Sequence, residues 1–269
     1  MRLSYKWLQE YVDLSDITPQ QLADKLTTAG LEVEGIEPMA QGTGLVIAEV
    51  IECEDIPDTH LHRTIVRYGA GENDTTQIVC GAPNCRLGLK VIAALPGAVL
   101  PGITIQAKPL HGIESNGMLC SLRELGIDHK YLTEKQINGI EELPEDAPVG
   151  ETNVLGYIGY DDTILDVALT VDRAYCLSMW NMAKEVGAIL HREAKWPDYA
   201  GKSNIGTPST FKVTSNTEKC DFFMGKVVNH VKVGPSPKWM VEYLHAAGIN
   251  SINNVVDISN FVMLETGQP

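Results

Sequence analysis

The sequence predicts an α+β protein of more than one domain, and three observations support this fold class. The chain has 269 residues, which exceeds the roughly 100 to 200 residues usual for one domain. From about Leu45 onward, short apolar runs alternate with a period of two, as strands do. The segments before and after these runs repeat apolar residues at helical spacing. A strand-rich module is therefore predicted between segments that contain helices.

Two helices are predicted in the first 30 residues. In "LSYKWLQEYV" the apolar residues recur at helical spacing and form one face. In "TPQQLADKLTTAGLEV" Thr18 is the expected N-cap, Pro19 stands in the first turn and Gln21 completes a capping box. Gly30 is the expected end of this second helix.

The strand-rich module is predicted from the runs "LVIAEVIEC", "RTIVRYGA", "TTQIVCG" and "KVIAAL". Gly69 and Gly71 indicate a hairpin connection between the second and third runs. In "GMLCSLRELGI" Ser121 and Glu124 indicate a second capping box over a short helix. The segment "EELPEDAPVG" is rich in Pro and acidic residues, and it predicts a surface hinge at the end of the module.

The rest of the chain predicts a mixed α/β region. "DTILDVALTVD" predicts a strand, and a long helix with Leu177, Trp180, Val186 and Leu190 near one face follows it. "YAGKSNIGTPST" predicts a linker, and "FKVTS" and "FFMGKVVNHVKVG" predict strands. "SPKWMVEYLHAAG" predicts a further helix capped by Ser236. The final segment, "INNVVDISNFVMLETGQP", is apolar and is expected to be ordered.

The charge of the chain excludes a broad, non-specific nucleic-acid binder. Its net charge is −14 and its pI is about 4.9, whereas neutralising phosphates requires an excess of Lys and Arg. Residues 40–150 contain 8 Lys and Arg against 15 Asp and Glu, a net charge of −7. Any RNA binding must therefore be local. The basic residues interleaved with the strands are the candidates for it: Arg63, Arg67, Arg86, Lys90 and Lys108.

The six cysteines are spread along the chain and are expected to be reduced. No apolar stretch suits a membrane span, and the N-terminus lacks a secretory signal, so a cytoplasmic protein is predicted. Cys80 and Cys85, with His60 and His62 nearby, offer four possible zinc ligands. The four-residue spacing of the cysteines is at the edge of the usual range, so buried structural thiols are favoured and no metal site is predicted.

Neither of two common catalytic patterns fits the cysteines or the glycine-flanked serine. The absence of a C-x-x-C pattern disfavours a redox pair at Cys80 and Cys85. Ser115 stands between glycines but lacks the strand-to-helix context of a nucleophile elbow. The sequence therefore predicts no catalytic residue in this chain.

Several strings together resemble the N-terminal part of the beta subunit of bacterial phenylalanyl-tRNA synthetases. They include "LSYKWLQEYVDL", "QIVCGAPN", "GLKVIAALPGAVLPG", "GIESNGMLCS", "ELPEDAPVG" and "INNVVDISNFVMLETGQP". The resemblance covers essentially the whole chain. It implies a tRNA-binding OB-fold β-barrel at residues 40–150, inserted in a small discontinuous α/β domain at 1–39 and 151–200. Residues 210–269 would begin a mixed α/β editing domain of the B3/B4 type.

The resemblance also implies a function. The family forms an (αβ)₂ complex that attaches phenylalanine to tRNA(Phe) with ATP and Mg²⁺, and the aminoacylation site lies in the alpha subunit. This chain would contribute tRNA binding and subunit architecture, and no cofactor is expected to bind to it alone. The editing pocket for mischarged Tyr-tRNA would include Asp257, Ser259 and Asn260, but the family's editing histidine would follow Pro269. The fragment alone is therefore expected to be inactive. A free-standing OB-fold protein that binds tRNA without ligase activity is the alternative.

Overall fold

The computed structural model describes residues 1–71, 73–198, 211–220 and 222–268. Three groups of elements follow along the chain. The first comprises β1 (Arg2–Ser4), α1 (Tyr5–Gln9), α2 (Pro19–Thr28) and β2 (Val33–Pro38). The second comprises β3 (Thr43–Asp55), β4 (His62–Arg67), β5 (Thr75–Cys80), β6 (Lys90–Leu100), β7 (Ile103–Thr104), β8 (Lys108–Leu110), β9 (Ile113–Ser115), β10 (Met118–Leu119) and α3 (Glu134–Asn138). The third comprises α4 (Val154–Ile158), β11 (Thr163–Val167), α5 (Met179–Leu190), α6 (Lys238–Ala246) and α7 (Asn254–Thr266).

A three-stranded antiparallel sheet joins the two ends of the first 170 residues. Its order is β1-β11-β2, with Leu3 opposite Leu165 and Leu165 opposite Ile36. The sequence pattern did not predict β1, because three residues directly before a helix are too few to show alternation. The chain leaves this sheet after β2 and returns at β11, so the strand-rich module is an insertion between two neighbouring strands.

Helices cover this sheet and share one apolar core with it. Trp7 of α1, Leu22 of α2 and Met182 of α5 are buried in this core, as are Leu244 of α6 and Phe261 of α7. Trp7 stacks on Phe261 with ring centroids 5.0 Å apart. α6 and α7, which come after residues 199–210 in the chain, therefore pack against its first residues.

The predicted start and end of α2 are confirmed. Thr18 accepts a hydrogen bond from the Gln21 backbone, while the Gln21 side chain accepts one from the Thr18 N–H, at 3.2 and 2.9 Å. Gly30 has φ of +86°, a left-handed conformation that a side chain would disfavour. These local groups satisfy backbone donors that would otherwise lack partners at the helix start.

The inserted module is built on a six-stranded antiparallel sheet. The order is β10-β6-β3-β4-β5, with β7 paired to β6. The 13-residue β3 pairs with β6 through its first half and with β4 through its second. The four predicted strands and the hairpin at Gly69 and Gly71 are confirmed. No pairing of β5 with β10 closes the sheet among the described residues, so the expected barrel is not confirmed.

The chain beside the sheet nevertheless ties its two ends together. The Asn116 N–H donates to the Gln77 carbonyl at 2.8 Å, and the Val79 N–H donates to the Ser115 hydroxyl at 3.0 Å. Ser115 is thus a buried structural hydroxyl between β9 and β5. Two apolar clusters fill the module, one centred on Ile92 and Leu125 and the other on Val50 and Ile78.

Two predictions within this module are wrong. Ser121 and Glu124 do bond to each other, with the Ser121 N–H and hydroxyl donating to the carboxylate at 2.6 and 2.9 Å. The chain there forms a turn that ends at Gly126, whose φ is +86°, before a helix can develop. The acidic segment 141–150 is no free hinge, because Leu143 and Ala147 are buried and the Leu143 N–H donates to the Lys90 carbonyl at 2.9 Å.

Three predictions for the last third of the chain are wrong as well. The segments 211–215 and 222–234 contain no strand, because no other extended segment among the described residues pairs with them. Leu177 precedes α5 and is exposed, since Ser178 caps that helix. Ser236 does not cap α6, because its hydroxyl donates to Asp257 instead. The predicted linker at 199–210 lies outside the described residues.

Candidate nucleic-acid interface

Arg63 and Arg67 lie on the outer face of β4, and both are paired with acids. Because side chains alternate along a strand, they point to the other side of the sheet from the buried Thr64 and Val66. Arg63 lies 3.3 Å from the carboxylate of Glu54 and 3.7 Å from that of Glu52. Arg67 forms an ion pair with Glu49. The cations of this face are therefore largely compensated by carboxylates of β3.

Arg86 and Lys90 are also compensated. Lys90 is mostly buried and lies 3.0 Å from Glu49, and with Arg67 it holds the pKa of that carboxyl below its usual range. Arg86 lies 2.8 Å from Glu142, which also contacts Lys135 at 2.9 Å. The Arg86 guanidinium is the main cause of the low pKa of Glu142, about 2.

Lys108 differs from these four residues. It is exposed on β8 and forms no ion pair among the described residues. It lines a cavity of about 690 Å³ between β5, the β7 to β10 region and α3. Apolar walls with a few polar groups are typical of ligand sites. The polar groups here include Lys108, Gln106, Ser121, Glu124 and Asn138.

Arg123 is a basic residue that the sequence analysis did not select. It is exposed in the turn between the cavity-lining residues Ser121 and Glu124, and the described part of the chain offers it no ion pair. The turn contains no alternating strand pattern, so residue order alone gave no signal for its position. Among the described residues, Lys108 and Arg123 are thus two cations without an ion pair near this cavity.

The four residues considered for zinc do not assemble as a metal site. His62 lies opposite Cys80 in the β4–β5 ladder, and its ring nitrogen lies 2.8 Å from Asp55. Cys80 and Cys85 are buried in the module core. In the part of the chain that the structure describes, no three His, Cys, Asp or Glu side chains are placed to hold a metal ion.

The candidate editing residues lie on α7. Asp257 is fully buried and accepts hydrogen bonds from the hydroxyls of Ser236 and Ser251, both at 2.5 Å, and from the Ile252 N–H at 2.9 Å. Burial raises the pKa of Asp257, but these hydrogen bonds outweigh burial and leave the pKa below its ordinary value. Asp257 is thus the anionic centre of a packed junction between α6 and α7.

Ser259 does not share a face of α7 with Asp257, whereas Asn260 lies on the same side as Asp257. On a helix, Ser259 is turned about 200° from Asp257 around the axis, and it is exposed. Asn260 is half-buried and lies one turn from Asp257. The structure therefore does not gather all three around one pocket in the described part of the chain.

Two family models match the chain. Residues 45–152 match the "Putative tRNA binding domain", and residues 219–269 match the "B3/4 domain". The first match coincides with the inserted strand module, and the second covers α6 and α7. None of the helices in the described ranges has the length and apolar composition to cross a membrane.

Curated relatives match the chain along its whole length. It is 45% identical to the phenylalanine–tRNA ligase beta subunit of Geobacillus kaustophilus over 274 residues and 44% identical to that of Bacillus cereus. It is 42% identical to that of Streptococcus pneumoniae serotype 4 over 272 residues. Each alignment covers 100% of this chain and 34% of the relative.

Together, the inserted module and the B3/4 segment define a multidomain protein with a tRNA-binding domain. The chain spans about a third of the length of the curated relatives it matches. Over its whole length the chain is similar to phenylalanine–tRNA ligase beta subunits.

Proposed function

We propose that this chain acts in the cytoplasm as part of a phenylalanine–tRNA ligase beta subunit. It contributes tRNA binding and subunit architecture to the ATP-dependent attachment of phenylalanine to tRNA(Phe). The observation that carries this proposal is the 42–45% identity to beta subunits along the whole chain. The partner is an alpha subunit, in an (αβ)₂ assembly.

The ATP and Mg²⁺ chemistry belongs to the rest of that assembly. Mg²⁺ prefers carboxylate and other oxygen ligands, and the described residues do not group three acidic side chains for such a site. We propose that phenylalanine activation takes place in the alpha subunit.

The proposed domain organisation follows the topology. Residues 1–39 and 151–200 form the small α/β domain, and 40–150 form a tRNA-binding OB-fold. The β2–β11 pairing supports the discontinuous small α/β domain, because it joins Pro38 to Thr163 on either side of the insertion. The hydrogen bonds that join Ser115 and Asn116 to β5 support barrel-like closure of the OB-fold. Residues 210–269 belong to the editing domain.

The tRNA-contacting surface of the OB-fold is proposed to centre on Lys108. Arg63, Arg67, Arg86 and Lys90 remain candidates, but each already has a carboxylate within 3.3 Å. A phosphate would have to replace that partner, which reduces the net gain. Lys108 and Arg123 have no ion-pair partner among the described residues, so they require no such exchange.

The B3/4 segment is proposed to contribute Asp257, Ser259 and Asn260 to the editing of Tyr-tRNA. The buried Asp257 anchors the start of α7 through Ser236 and Ser251. The exposed Ser259 and the half-buried Asn260 then present a hydroxyl and an amide, groups that can orient a substrate ester or a water molecule.

Binding of tRNA(Phe) to the chain tests the module. The double variant K108A/R123A should weaken binding about tenfold and lower the salt dependence of log K by about 1 to 2, because two phosphate contacts are lost. The matched control is K25A, which removes an exposed Lys on α2 outside the module. Equal affinity for the double variant and the wild type would contradict the proposed surface.

A second measurement separates the ligase from the alternative function. The beta subunit that contains this chain should co-purify with an alpha subunit and restore phenylalanine charging. A protein that binds tRNA(Phe) but neither recruits the alpha subunit nor supports charging would instead be a free-standing tRNA-binding protein.

A further inference from the structure

Three thiols of the inserted module meet at one end of its core. In the antiparallel ladder Cys53 lies opposite Thr64, and Thr64 lies opposite Ile78. Directly opposed residues project to the same face of a sheet, and so do residues two apart along a strand. Cys53 and Cys80 therefore share the inner face of β3 and β5.

Cys85 returns to the same place through a tight turn. Its N–H donates to the Ala82 carbonyl at 3.1 Å, which reverses the chain directly after β5. Cys80 and Cys85 are both buried in one apolar cluster, and Cys53 packs against it. A cluster of three neighbouring thiols results, at a spacing along the chain that no redox motif would identify.

The surroundings distinguish the two buried thiols of the turn. The Ala82 N–H donates to the Cys80 sulfur at 3.5 Å. Contact with the Cys85 thiol is the main cause that lowers the pKa of Cys80, against the effect of burial. The same contact raises the pKa of Cys85, and burial raises it further. Cys80 is thus the sulfur that favours the thiolate, and Cys85 is the one that keeps its proton.

Cys80 also lines the cavity of about 690 Å³ that Lys108 lines, so the cavity gives a small solute a route to this residue. Cys120 provides the contrast within the same module. It is fully buried, does not line the cavity, and burial is the main cause that raises its pKa. Since the thiolate is the nucleophile, the two cysteines should differ strongly in reactivity.

We propose that Cys80 is a peroxide-reactive cysteine and that Cys85 resolves the product to a Cys80–Cys85 disulfide. The Cys80 thiolate attacks one oxygen of hydrogen peroxide, the O–O bond breaks, and hydroxide leaves to form water with a solvent proton. Cys80 is then a sulfenic acid. The Cys85 sulfur attacks the Cys80 sulfur, the S–O bond breaks, and the hydroxyl leaves as water with the Cys85 proton. Two thiols lose two electrons, and the peroxide becomes two waters.

The disulfide would form inside a segment that carries other contacts. Asn84, between the two cysteines, donates to the Ile140 carbonyl at 2.9 Å and accepts from the Ile140 N–H at 3.0 Å. Residues 80–83 and 137–140 both line the cavity. Oxidation would therefore fix one wall of the cavity through a covalent loop of four intervening residues.

Peptide mapping of the full, reduced chain tests the proposal. After exposure to hydrogen peroxide and alkylation of the remaining thiols, trypsin should release residues 68–86 lighter by two hydrogen atoms, because no Lys or Arg separates Tyr68 from Arg86. A reductant should restore the original mass. Cys80 should react at least about tenfold faster than Cys120, following its larger thiolate fraction.

Variants assign the two roles. C85S should leave Cys80 as a sulfenic acid that dimedone traps, C80S should abolish the fast reaction, and C120S should behave as the wild type. Thermal unfolding shows whether each variant folds. If a variant does not fold, the peptide mapping of the wild-type chain alone tests the proposed disulfide. Oxidation of Cys80 no faster than Cys120, or a disulfide that joins Cys85 to Cys53 instead, would overturn the proposal.

Discussion

Glu142 is the residue whose removal should most clearly reveal how the module is held together. Its carboxylate receives Arg86 at 2.8 Å, Lys135 at 2.9 Å and the Asn84 amide at 3.0 Å. It thereby connects the turn after β5 to the segment that follows α3. The substitution Glu142→Gln keeps the shape of the side chain and removes its charge.

The magnitude follows from the pKa of this carboxyl. A fall from 4.5 to about 2 corresponds to at most about 3 kcal/mol of folding free energy. Arg86 and Lys135 are 57% and 68% exposed, so solvent screens the pairs and reduces this figure. We therefore expect Glu142→Gln to lower the free energy of unfolding by about 1 to 2 kcal/mol at neutral pH.

The pH dependence gives the sharper test. The unfolded carboxyl titrates near 4.5 and the folded one near 2, so the stabilisation is complete above about pH 5 and is lost as the pH falls through this window. Urea unfolding of wild type and variant should show a constant difference from about pH 7 to about pH 5 that narrows below. Glu145→Gln, an exposed position on the same segment without an ion pair among the described residues, is the control. Equal losses for both variants, or a difference independent of pH, would refute the reasoning.

Two further predictions concern α2 of the small α/β domain and α6 of the B3/4 segment. Thr18→Ala should lower the free energy of unfolding in urea by about 1 kcal/mol, because the capping box with Gln21 is lost. Thr28→Ala, at the other end of α2, should lower it less. Equal losses would contradict the assigned cap. Burial lowers the pKa of His245 below 6.5, so the unfolded chain takes up its proton first and stability should fall as the pH drops below about 6.5. In His245→Gln the unfolding temperature should fall less between about pH 7.5 and about pH 5.5 than in the wild type, and an equal fall would exclude His245 as the titrating group.

Local signals in the sequence predicted the elements that local bonds create. Thr18 and Gln21 define the start of α2 without help from the rest of the chain, and the alternation of β3 to β6 is long enough to show its period. Ser236 shows the limit of such signals. It precedes a helix as a cap would, but its hydroxyl bonds to Asp257, which is 21 residues away, and no local pattern predicts that partner.

The charged site was harder to predict for the same reason. Four of the five selected basic residues face carboxylates from other strands or segments, and only the register of the ladder shows that Glu54 lies opposite Arg63. Arg123 escaped selection because it lies in a turn. Cys53 was not paired with Cys80 in the sequence because 26 residues lie between them, although strand pairing brings both to the same face.

The central position of β11 between β1 and β2 has a consequence for synthesis on the ribosome. β1 and β2 do not pair with each other, so neither has a sheet partner until residues 163–167 have been made. The inserted module, whose strands pair within 43–119, can fold during that interval. Because Pro38 and Thr163 are direct partners, the folded insert presents its two ends side by side. Its completion therefore shortens the loop that β11 must close to assemble the N-terminal sheet.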